Sequence, residues 1–295
     1  MPAVSSPHAP VPVSRTRVRV DSDEGPPFDV VYERRGAGEP LVLLHGVGHH
    51  WQAWEPVLGA LAASHDVVAL DLPGFGASPE LPAGHGYDAA SAARQLAAVC
   101  AALVLERPHV AGNSLGGLLA LELARTGRAR SVTALSPAGF WTERERRYAF
   151  AVLRGMRAGA AALPESAVRT LARSAAGRAS LTSTIYARPG RRSPEAVVAE
   201  TAALRDATGF EPVLASGRRP DALFRSDIPD VPVTLAWGDR DRVLLPRQGV
   251  RAKHVLPGAR LVRLRGCGHV PMNDDPAAVA RTVLDTTAAA RAASG

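Results

Sequence analysis

Cysteine is scarce in this chain, and long apolar runs are missing from it. The two cysteines do not form the dense pattern of a disulfide-stapled domain, and they fit a protein that folds in the reducing cytoplasm. No apolar run is long enough to cross a bilayer, so we predict no membrane segment. Residues 1–14 are rich in Pro, Ser and Ala but lack a basic stretch followed by an apolar one. We therefore predict a disordered segment there rather than a secretory signal.

Lysine is almost absent, although the formal net charge is +7. Of the 35 basic residues only Lys253 is a lysine. The arginines are scattered, mixed with acidic residues and not interleaved with aromatic residues, so the basic charge reflects composition rather than a nucleic-acid surface. We predict a small-molecule substrate, and neither nucleic acid nor a membrane as a partner. Both a monomer and a homodimer stay open.

Short apolar runs alternate with helical patterns along much of the chain, which at 295 residues can bury a large core. Strand patterns and helix patterns follow one another at 41–44, 54–63, 67–70, 88–105, 109–111, 115–126 and 132–135. Before them, residues 15–20 and 28–32 predict a hairpin with its break at Gly25-Pro26-Pro27. After them, residues 141–228 are helical in period, and the strand pattern resumes at Val233. The alternation predicts an α/β fold with a mostly parallel sheet.

Gly112-Asn113-Ser114-Leu115-Gly116 is a G-x-S-x-G motif between a strand pattern and a helix pattern. A serine on such a turn exposes its hydroxyl at the sheet edge, and the glycines allow the strained backbone. The N-terminus of the helix behind it favours negative charge on a reacting oxygen. Ser114 is therefore the candidate nucleophile.

A nucleophilic serine needs a base and a carboxylate that orients the base, here in the chain order Ser, Asp or Glu, His. A strand pattern that ends at Trp237 is followed by Asp239 and Asp241, and one that ends at Leu264 is followed by His269. Both groups come just after the carboxyl end of a strand, where open α/β sheets place their sites. His269 lies on a glycine-rich loop and is the candidate base.

These motifs, in this order, resemble the α/β-hydrolase superfamily over roughly residues 28–290. His45-Gly46-Val47-Gly48 resembles the oxyanion loop of that family, and Asp71 to Ser78 resembles its D-x-x-G-x-G-x-S loop. The resemblance implies a three-layer α/β-hydrolase fold, a Ser-Asp-His triad and no cofactor. It also implies that the backbone N–H groups of Val47 and Leu115 form the oxyanion hole.

The family pattern also separates the two aspartates. The acid of the triad usually stands in a G-x-x-D string, and Gly238 to Asp241 has that spacing, with Val243 and Pro246 after it. We therefore predict that Asp241 is the acid and that Asp239 braces the turn.

A helical insertion between the sixth and seventh core strands covers the pocket in this family. The resemblance therefore implies a hydrolase core of residues 15–140 and 229–295. Residues 141–228 then form a helical cap, which would set the choice of substrate.

Aromatic and histidine side chains near strand ends are candidates for the pocket. The predicted pocket walls are Phe75, Phe140 and Trp141. His45 is predicted to be a structural hydrogen-bonding residue beneath the oxyanion loop. His49 and His50 either line the pocket mouth or face solvent, and no further ligand joins them at metal-binding spacing, so we predict no metal site.

Acyl transfer to water fits these residues best. We predict a serine hydrolase that cleaves an ester, thioester or lactone of a small, largely apolar substrate. Other activities of this fold stay open: carbon–carbon bond hydrolysis of a vinylogous diketone, acyl transfer or perhydrolysis, and ligand reception. The string at 112–117 resembles that of the carbon–carbon hydrolases, but His49 after Gly48 and Val270 after His269 depart from them. Epoxide hydrolases and haloalkane dehalogenases of this fold have an aspartate where this chain has Ser114.

Overall fold

A single sheet of eight strands runs through the computed structural model, which describes residues 16–219, 223–224, 228–229 and 231–292. The predicted disordered segment 1–14 lies outside these residues. The strands are β1 (Thr16–Ser22), β2 (Gly25–Arg35), β3 (Glu39–Leu44), β4 (His65–Leu70), β5 (His109–Asn113), β6 (Ser131–Leu135), β7 (Val233–Gly238) and β8 (Arg260–Leu264). Their order across the sheet is β1-β2-β4-β3-β5-β6-β7-β8. The pairs among β3 to β8 are parallel, whereas β1–β2 and β2–β4 are antiparallel, which confirms a mostly parallel sheet.

Helices cover both faces of this sheet. They are α1 (Glu55–Ala62), α2 (Ala89–Ala102), α3 (Leu115–Arg125), α4 (Glu143–Ala162), α5 (Glu165–Ala172), α6 (Ala175–Thr182), α7 (Pro194–Asp206), α8 (Phe210–Ser216), α9 (Arg247–Val255), α10 (Pro271–Asp274) and α11 (Pro276–Ala292). On one face α1 and α11 pack against the strands, and on the other α2, α3 and α9 do. The predicted three-layer arrangement is therefore present.

Alternating side chains of the central strands build the two cores. In β3, Leu41 and Leu43 belong to the core beneath α1 and α11, whereas Val42 and Leu44 belong to the core beneath α2 and α3. Successive strand residues point to opposite faces of a sheet. Because both faces are covered, apolar residues are favoured at successive positions, and Leu41–Leu44 of β3 reads as a continuous apolar run in the sequence.

The parallel strands end at a common edge. Asn113 at the end of β5 lies opposite Leu135 at the end of β6, and Gly238 at the end of β7 lies opposite Leu264 at the end of β8. The loops that leave β5, β7 and β8 therefore start side by side. One of them carries Ser114, and the other two carry the predicted acid and base.

The first hairpin turns earlier than the sequence pattern indicates. Ser22 at the end of β1 pairs with the first residue of β2, so the turn lies at residues 23–24. The predicted break, Gly25-Pro26-Pro27, is instead the beginning of β2. The strand register shifts between Val20 and Ser22. Proline has no N–H to donate to a ladder, and it is tolerated at such an irregularity.

Helices, and no strand among the described residues, lie between β6 and β7, as predicted for residues 141–228. α4 begins with a capping box, in which Thr142 Oγ1 accepts the N–H of Glu145 and the Glu145 carboxylate accepts the N–H of Thr142. The helical insertion of the fold is thus present, while the division into units at 141 and 228 stays a prediction. Within the described ranges, no helix has both the length and the apolar character that crossing a bilayer requires.

Candidate active site

Ser114 lies on the sharp turn between β5 and α3. Its backbone has φ 56° and ψ −114°, outside the regions that L-residues usually adopt. Such a conformation costs on the order of 1–3 kcal/mol and persists only where the surroundings hold it. Here the N–H of Ser114 donates to Leu135 O at 2.9 Å, and its carbonyl accepts from the N–H groups of Leu118 at 3.1 Å and Ala138 at 3.0 Å. Strain of this kind is typical of functional sites.

The glycines of the motif allow the strand and the helix to approach closely. A Cβ at Gly112 would overlap the backbone of Gly116, and a Cβ at Gly116 would overlap the carbonyl of Leu44 on β3. Both positions therefore require glycine for packing reasons. The close approach sets the N-terminus of α3 directly behind Ser114.

The predicted acid and base are hydrogen-bonded to each other. His269 Nδ1 lies 2.8 Å from Asp241 Oδ2, and the two residues are 4% and 3% exposed. The other oxygen, Asp241 Oδ1, accepts the backbone N–H groups of Val243 at 2.8 Å and Leu244 at 2.9 Å. Because a carboxylate only accepts, the imidazole carries a proton on Nδ1 and leaves Nε2 free to accept one.

Asp239 has structural partners instead. Its Oδ1 accepts the N–H of Gly266 at 2.7 Å, and its Oδ2 accepts from the guanidinium of Arg263 at 3.2 Å. These bonds join the loop after β7 to β8 and the turn that follows it. The prediction that Asp239 braces the turn is confirmed.

Asn113, which the sequence analysis did not single out, ties the His269 loop to the sheet. Its Nδ2 donates to the carbonyl of His269 at 2.9 Å and to that of Leu135 at 3.0 Å. Because the residue directly precedes Ser114 in the motif, the sequence indicated its position beside the serine. The sequence did not indicate its hydrogen-bond partners.

Asp274, at the end of α10, is a second residue that the sequence analysis missed. Its carboxylate is buried and accepts three backbone N–H groups: Gly268 at 2.7 Å, Ala187 at 2.9 Å and Arg188 at 2.7 Å. It therefore joins the His269 loop to the segment between α6 and α7. Ala187 lies 87 positions away in the chain, and no local pattern could have indicated this contact.

Ser114 and His269 line one small cavity. No hydrogen bond joins Ser114 Oγ to the imidazole among the residues that the structure describes. Such bonds are often long in ligand-free enzymes and shorten when substrate is bound. The fold thus brings the three predicted residues to one place, with the Asp241–His269 contact already made.

The N–H groups predicted for the oxyanion hole belong to Val47 and Leu115, which line a cavity beside the serine. In the described part of the chain neither N–H donates to another protein group. His45 lies beneath this loop, and its Nε2 accepts the N–H of Leu72 at 3.0 Å. Its Nδ1 therefore carries the proton and donates to the Gly46 carbonyl at 2.8 Å. The predicted structural role of His45 is confirmed.

The Asp71–Ser78 loop has a supporting role. The Asp71 carboxylate accepts the N–H groups of Trp51 at 2.7 Å and Ala77 at 2.8 Å, and Ser78 Oγ donates to the Asp71 carbonyl at 2.7 Å. Since Trp51 closely follows the oxyanion loop, these bonds join that loop to the one after β4.

A cavity of about 360 Å³ opens on one side of Ser114. That volume is typical of small-molecule sites. Its lining is mainly apolar and includes Leu118, Trp141, Phe150, Leu153, Leu214 and Leu244. Of the three predicted pocket walls, Trp141 is in this lining. Phe75 and Phe140 are each 2% exposed and pack in the core, where the Phe75 ring meets the ring of His45 edge-on.

A second cavity, of about 50 Å³, also has Ser114 in its lining. Its lining includes His269, which is not part of the lining of the larger cavity. Val47, Ser114 and Leu153 line both. The two cavities therefore meet at the serine, and His269 lines only the smaller one.

Residues 41–282 match the alpha/beta hydrolase family. The chain belongs to this family. The two cavities and the triad-like cluster described above are therefore features of an α/β hydrolase, located where its sheet strands end.

Three similar proteins show how widely this hydrolase family ranges. Over 99 residues the chain is 43% identical to a pimeloyl-[acyl-carrier protein] methyl ester esterase of Aeromonas salmonicida, which covers 34% of this chain and 37% of that protein. It is 33% identical over 185 residues to epoxide hydrolase EphH of Mycobacterium tuberculosis, covering 60% of this chain and 85% of EphH. The crystal structure of a membrane phospholipase A, described as a bacterial virulence factor, has a TM-score of 0.71 at 26% identity and covers 95% and 87% of the two chains.

His49 and Glu200 also line the smaller cavity, and they belong to a buried polar cluster. Glu200 Oε1 accepts from the Tyr186 hydroxyl at 2.9 Å and from Arg192 Nε at 2.5 Å, and the same hydroxyl lies 3.5 Å from His49 Nε2. Burial, with the nearby charge of Arg192, lowers the pKa of His49 to about 3. The histidine is therefore neutral at neutral pH. Among the Glu–Arg pairs of the described residues, this is the one with both side chains buried, and in this α/β hydrolase it lies in the cluster beside Ser114.

His49, His50 and Glu200 are the residues here that could hold a metal ion, because their ligand atoms lie within 4.8 Å of one another. Both histidines are buried, so the alternative that they face solvent was wrong. The sequence analysis found no third ligand because Glu200 is distant in the chain. Arg192, 2.5 Å from the Glu200 carboxylate, already balances its charge and disfavours a further cation. The absence of a metal site stays a prediction.

Proposed function

We propose that this α/β hydrolase is a serine hydrolase that cleaves an ester, thioester or lactone of a small, largely apolar substrate through an acyl-enzyme. One observation carries the proposal: His269, which is hydrogen-bonded to the buried Asp241, lines the same cavity as Ser114 on its strained turn. This is the arrangement that activates a serine hydroxyl, because the base accepts its proton and the acid orients the base.

The proposed reaction has two halves. Ser114 Oγ forms a bond to the substrate carbonyl carbon as its proton passes to His269 Nε2. The leaving group departs with that proton, and the acyl group stays on Ser114. Water then attacks the acyl-enzyme, gives its proton to His269, and releases the acid while Ser114 recovers its hydroxyl proton. Asp241 stabilises the imidazolium in both halves and keeps its own charge.

The negative charge on the carbonyl oxygen would be held by the N–H groups of Val47 and Leu115. Their lack of other partners in the described residues and their place beside Ser114 support this role. A donor of this kind contributes about 3 kcal/mol to the stabilisation of the transition state. The N-terminus of α3 adds to the effect.

The similar proteins support a hydrolase but leave the bond that is cleaved open. One relative is named as a methyl ester esterase and another as an epoxide hydrolase, and the chain spans only 37% of the esterase. Ser114 favours acyl transfer, since the epoxide hydrolases of this fold use an aspartate nucleophile. Carbon–carbon hydrolysis, acyl transfer or perhydrolysis, and ligand reception are alternatives on the same triad.

We further propose a small-molecule partner and a monomer or homodimer in the cytoplasm. The free, buried state of Cys100 and Cys267 supports a reducing compartment. Burial raises the pKa of the Cys267 thiol to about 12, so this thiol near the His269 loop is not a competing nucleophile.

The test is Ser114→Ala together with a fluorophosphonate probe. We expect wild-type protein to be labelled on Ser114, and Ser114→Ala to lose labelling and about 10⁴-fold or more of its turnover of p-nitrophenyl esters. Ser166→Ala, which alters an exposed serine on α5, is the matched control and should behave as wild type. Near wild-type turnover by Ser114→Ala would refute the proposal.

A panel of p-nitrophenyl esters of rising chain length also separates an esterase from a transferase or perhydrolase and from a ligand receptor. Rapid release of p-nitrophenol over successive turnovers supports the esterase. Turnover that depends on an added alcohol or peroxide supports the transferase or perhydrolase. A single stalled adduct supports the receptor.

A further inference from the structure

We propose that the two cavities bind different halves of the substrate, one the acyl group and the other the leaving alcohol. This inference rests on the proposed serine hydrolase. The large cavity takes a bulky apolar acyl group. The small cavity takes a leaving alcohol of few heavy atoms that carries a hydrogen-bond donor, and Glu200 accepts that hydrogen bond. The scissile carbonyl lies between them at Ser114, where the cavities meet.

The place of His269 determines which half enters which cavity. When the tetrahedral intermediate breaks down, His269 Nε2 gives its proton to the leaving oxygen, so that oxygen has to be within hydrogen-bond reach of the imidazole. His269 lines the small cavity and not the large one. The leaving group therefore occupies the small cavity, and the acyl group is left with the large one.

The volumes limit the size of each half. A water molecule needs about 10–15 Å³ of such space, so the small cavity of about 50 Å³ holds a group about as large as three to five waters. Methanol and ethanediol are of this size. The cavity of about 360 Å³, with Leu118, Phe150 and Leu214 in its lining, has room for a medium-length or aromatic acyl group.

Glu200 gives the small cavity its polarity. Both Tyr186 and Arg192 donate to Oε1, and Oε2 has no hydrogen-bond partner among the described residues. The residue is only 6% exposed, so this oxygen is shielded from bulk water. An unpaired buried acceptor is costly, and a carboxylate oxygen is a strong acceptor. A donor on the leaving group satisfies it.

Leu204 and Met156 limit the small cavity from the side of α7 and α4. Both lie between this cavity and a neighbouring one of about 570 Å³, since they line both, and neither lines the acyl cavity of about 360 Å³. Leu204 lies directly over Gly48, where an added Cβ would overlap Leu204 Cδ1. A shorter side chain at Leu204 therefore enlarges the space for the leaving group and leaves the acyl cavity unchanged.

The first experiment compares two esters of one acid that match in size. The leaving groups of n-propyl octanoate and 2-hydroxyethyl octanoate have equal numbers of heavy atoms and differ in one hydroxyl. We expect kcat/KM of the wild type to be at least about tenfold higher for the hydroxyethyl ester. Equal values for the two esters overturn the role of Glu200.

Variants assign this preference to Glu200. In Glu200→Gln an amide replaces the charged acceptor, and we expect the preference to fall severalfold. Glu200→Leu combined with Arg192→Leu removes both charges together, so that no buried charge is left unpaired, and the preference should fall to about one. Tyr186→Phe is the matched control, because it removes a donor to Oε1 and leaves Oε2 unchanged. A preference that persists in the double variant overturns the assignment.

The second experiment tests size with one variant for each cavity. Leu204→Ala should raise the rate for benzyl octanoate relative to methyl octanoate by about tenfold, without changing the ranking of methyl esters from acetate to decanoate. Leu214→Ala, on the large cavity, should change that acyl ranking and leave the alcohol preference as it is. The reverse result overturns the orientation of the substrate.

Failure of the inference can be told from failure of the proposed function. Labelled Ser114 with ester turnover but without these preferences overturns the inference alone. No labelling and no turnover of any ester overturns both.

Discussion

Asp239 and Asp241 are close in the chain, yet only one of them contacts the predicted base. Asp241 Oδ2 lies 2.8 Å from His269 Nδ1, whereas Asp239 accepts from Gly266 and Arg263. We expect Asp241→Asn to lower turnover by about 10⁴-fold, because the amide favours the wrong imidazole tautomer. The measurement is kcat on an activated ester near neutral pH.

Asp239→Asn is the matched control for that variant. It keeps an oxygen for the Gly266 N–H and loses a largely exposed ion pair with Arg263, so unfolding free energy should fall by less than about 1 kcal/mol. Turnover should stay within severalfold of the wild type. A large loss of turnover in Asp239→Asn, with Asp241→Asn active, would move the acid to position 239.

Residues in local motifs could be predicted from the sequence, and residues whose partners are distant could not. The G-x-S-x-G string and the loop ends indicated Ser114 and His269, because strand and turn patterns are short-range. Glu200 meets His49 only through tertiary folding, and no spacing rule links the two positions. The direction of an aromatic side chain is also set by packing, so Trp141 lines the large cavity and Phe75 does not.

The loop after β8 and the segment before α7 are held together at one carboxylate. Asp274 accepts the N–H groups of Gly268, Ala187 and Arg188, and all three would lose their acceptor in Asp274→Ala. Each buried N–H left unsatisfied costs about 1–3 kcal/mol. We expect the unfolding free energy to fall by about 3 kcal/mol or more, as measured by urea denaturation.

Asp275→Ala provides the comparison, because among the described residues the neighbouring carboxylate accepts only the N–H of Ala278 at the start of α11. Loss of such a helix cap costs about 1 kcal/mol. Hydrogen exchange should show faster exchange at Ala187, Arg188 and Gly268 in Asp274→Ala and not in Asp275→Ala. Equal effects of the two variants would mean that Asp274 does not join the segments.

Strands and helices with a regular spacing of apolar residues could be predicted well from the sequence. The residues at which they begin and end could be predicted less well. The central strands and the helices α1 to α3 lie where alternation and apolar faces indicated them. The hairpin turn was misplaced because Gly25-Pro26-Pro27 has the composition of a turn, whereas the register shift of the β1–β2 pair at this point allows it to stay in a strand.

At the scale of the whole molecule, the edge of the sheet opposite the candidate site is occupied by ion pairs. Glu39 at the start of β3 accepts from Arg130 and Arg291, and it lies 3.5 Å from His109 Nε2. The hydrogen bond from Arg291 lowers the pKa of Glu39. Arginine side chains therefore join strand and helix ends at this edge.

Three buried histidines near the candidate site make the fold sensitive to acid. Burial lowers the pKa of His45 and of His49 to about 3 and that of His50 to about 4, below the ordinary value of about 6.5. Below that ordinary value the unfolded chain binds protons that the folded protein excludes. The contribution of these neutral histidines to the unfolding free energy should therefore be fully present above about pH 6.5. Below that pH the unfolding free energy should fall, by up to about 1.4 kcal/mol per pH unit for each histidine.

Urea denaturation at pH 8, 7, 6 and 5 measures this dependence, and His50→Gln assigns part of it. At pH 8 the variant supplies a baseline, since all three histidines are neutral in both states there. Between pH 6 and pH 5 the slope of the variant should be smaller than that of the wild type by about one proton, which is about 1.4 kcal/mol per pH unit. An unfolding free energy that is constant from pH 7 to pH 5 would contradict the neutral state of the buried histidines.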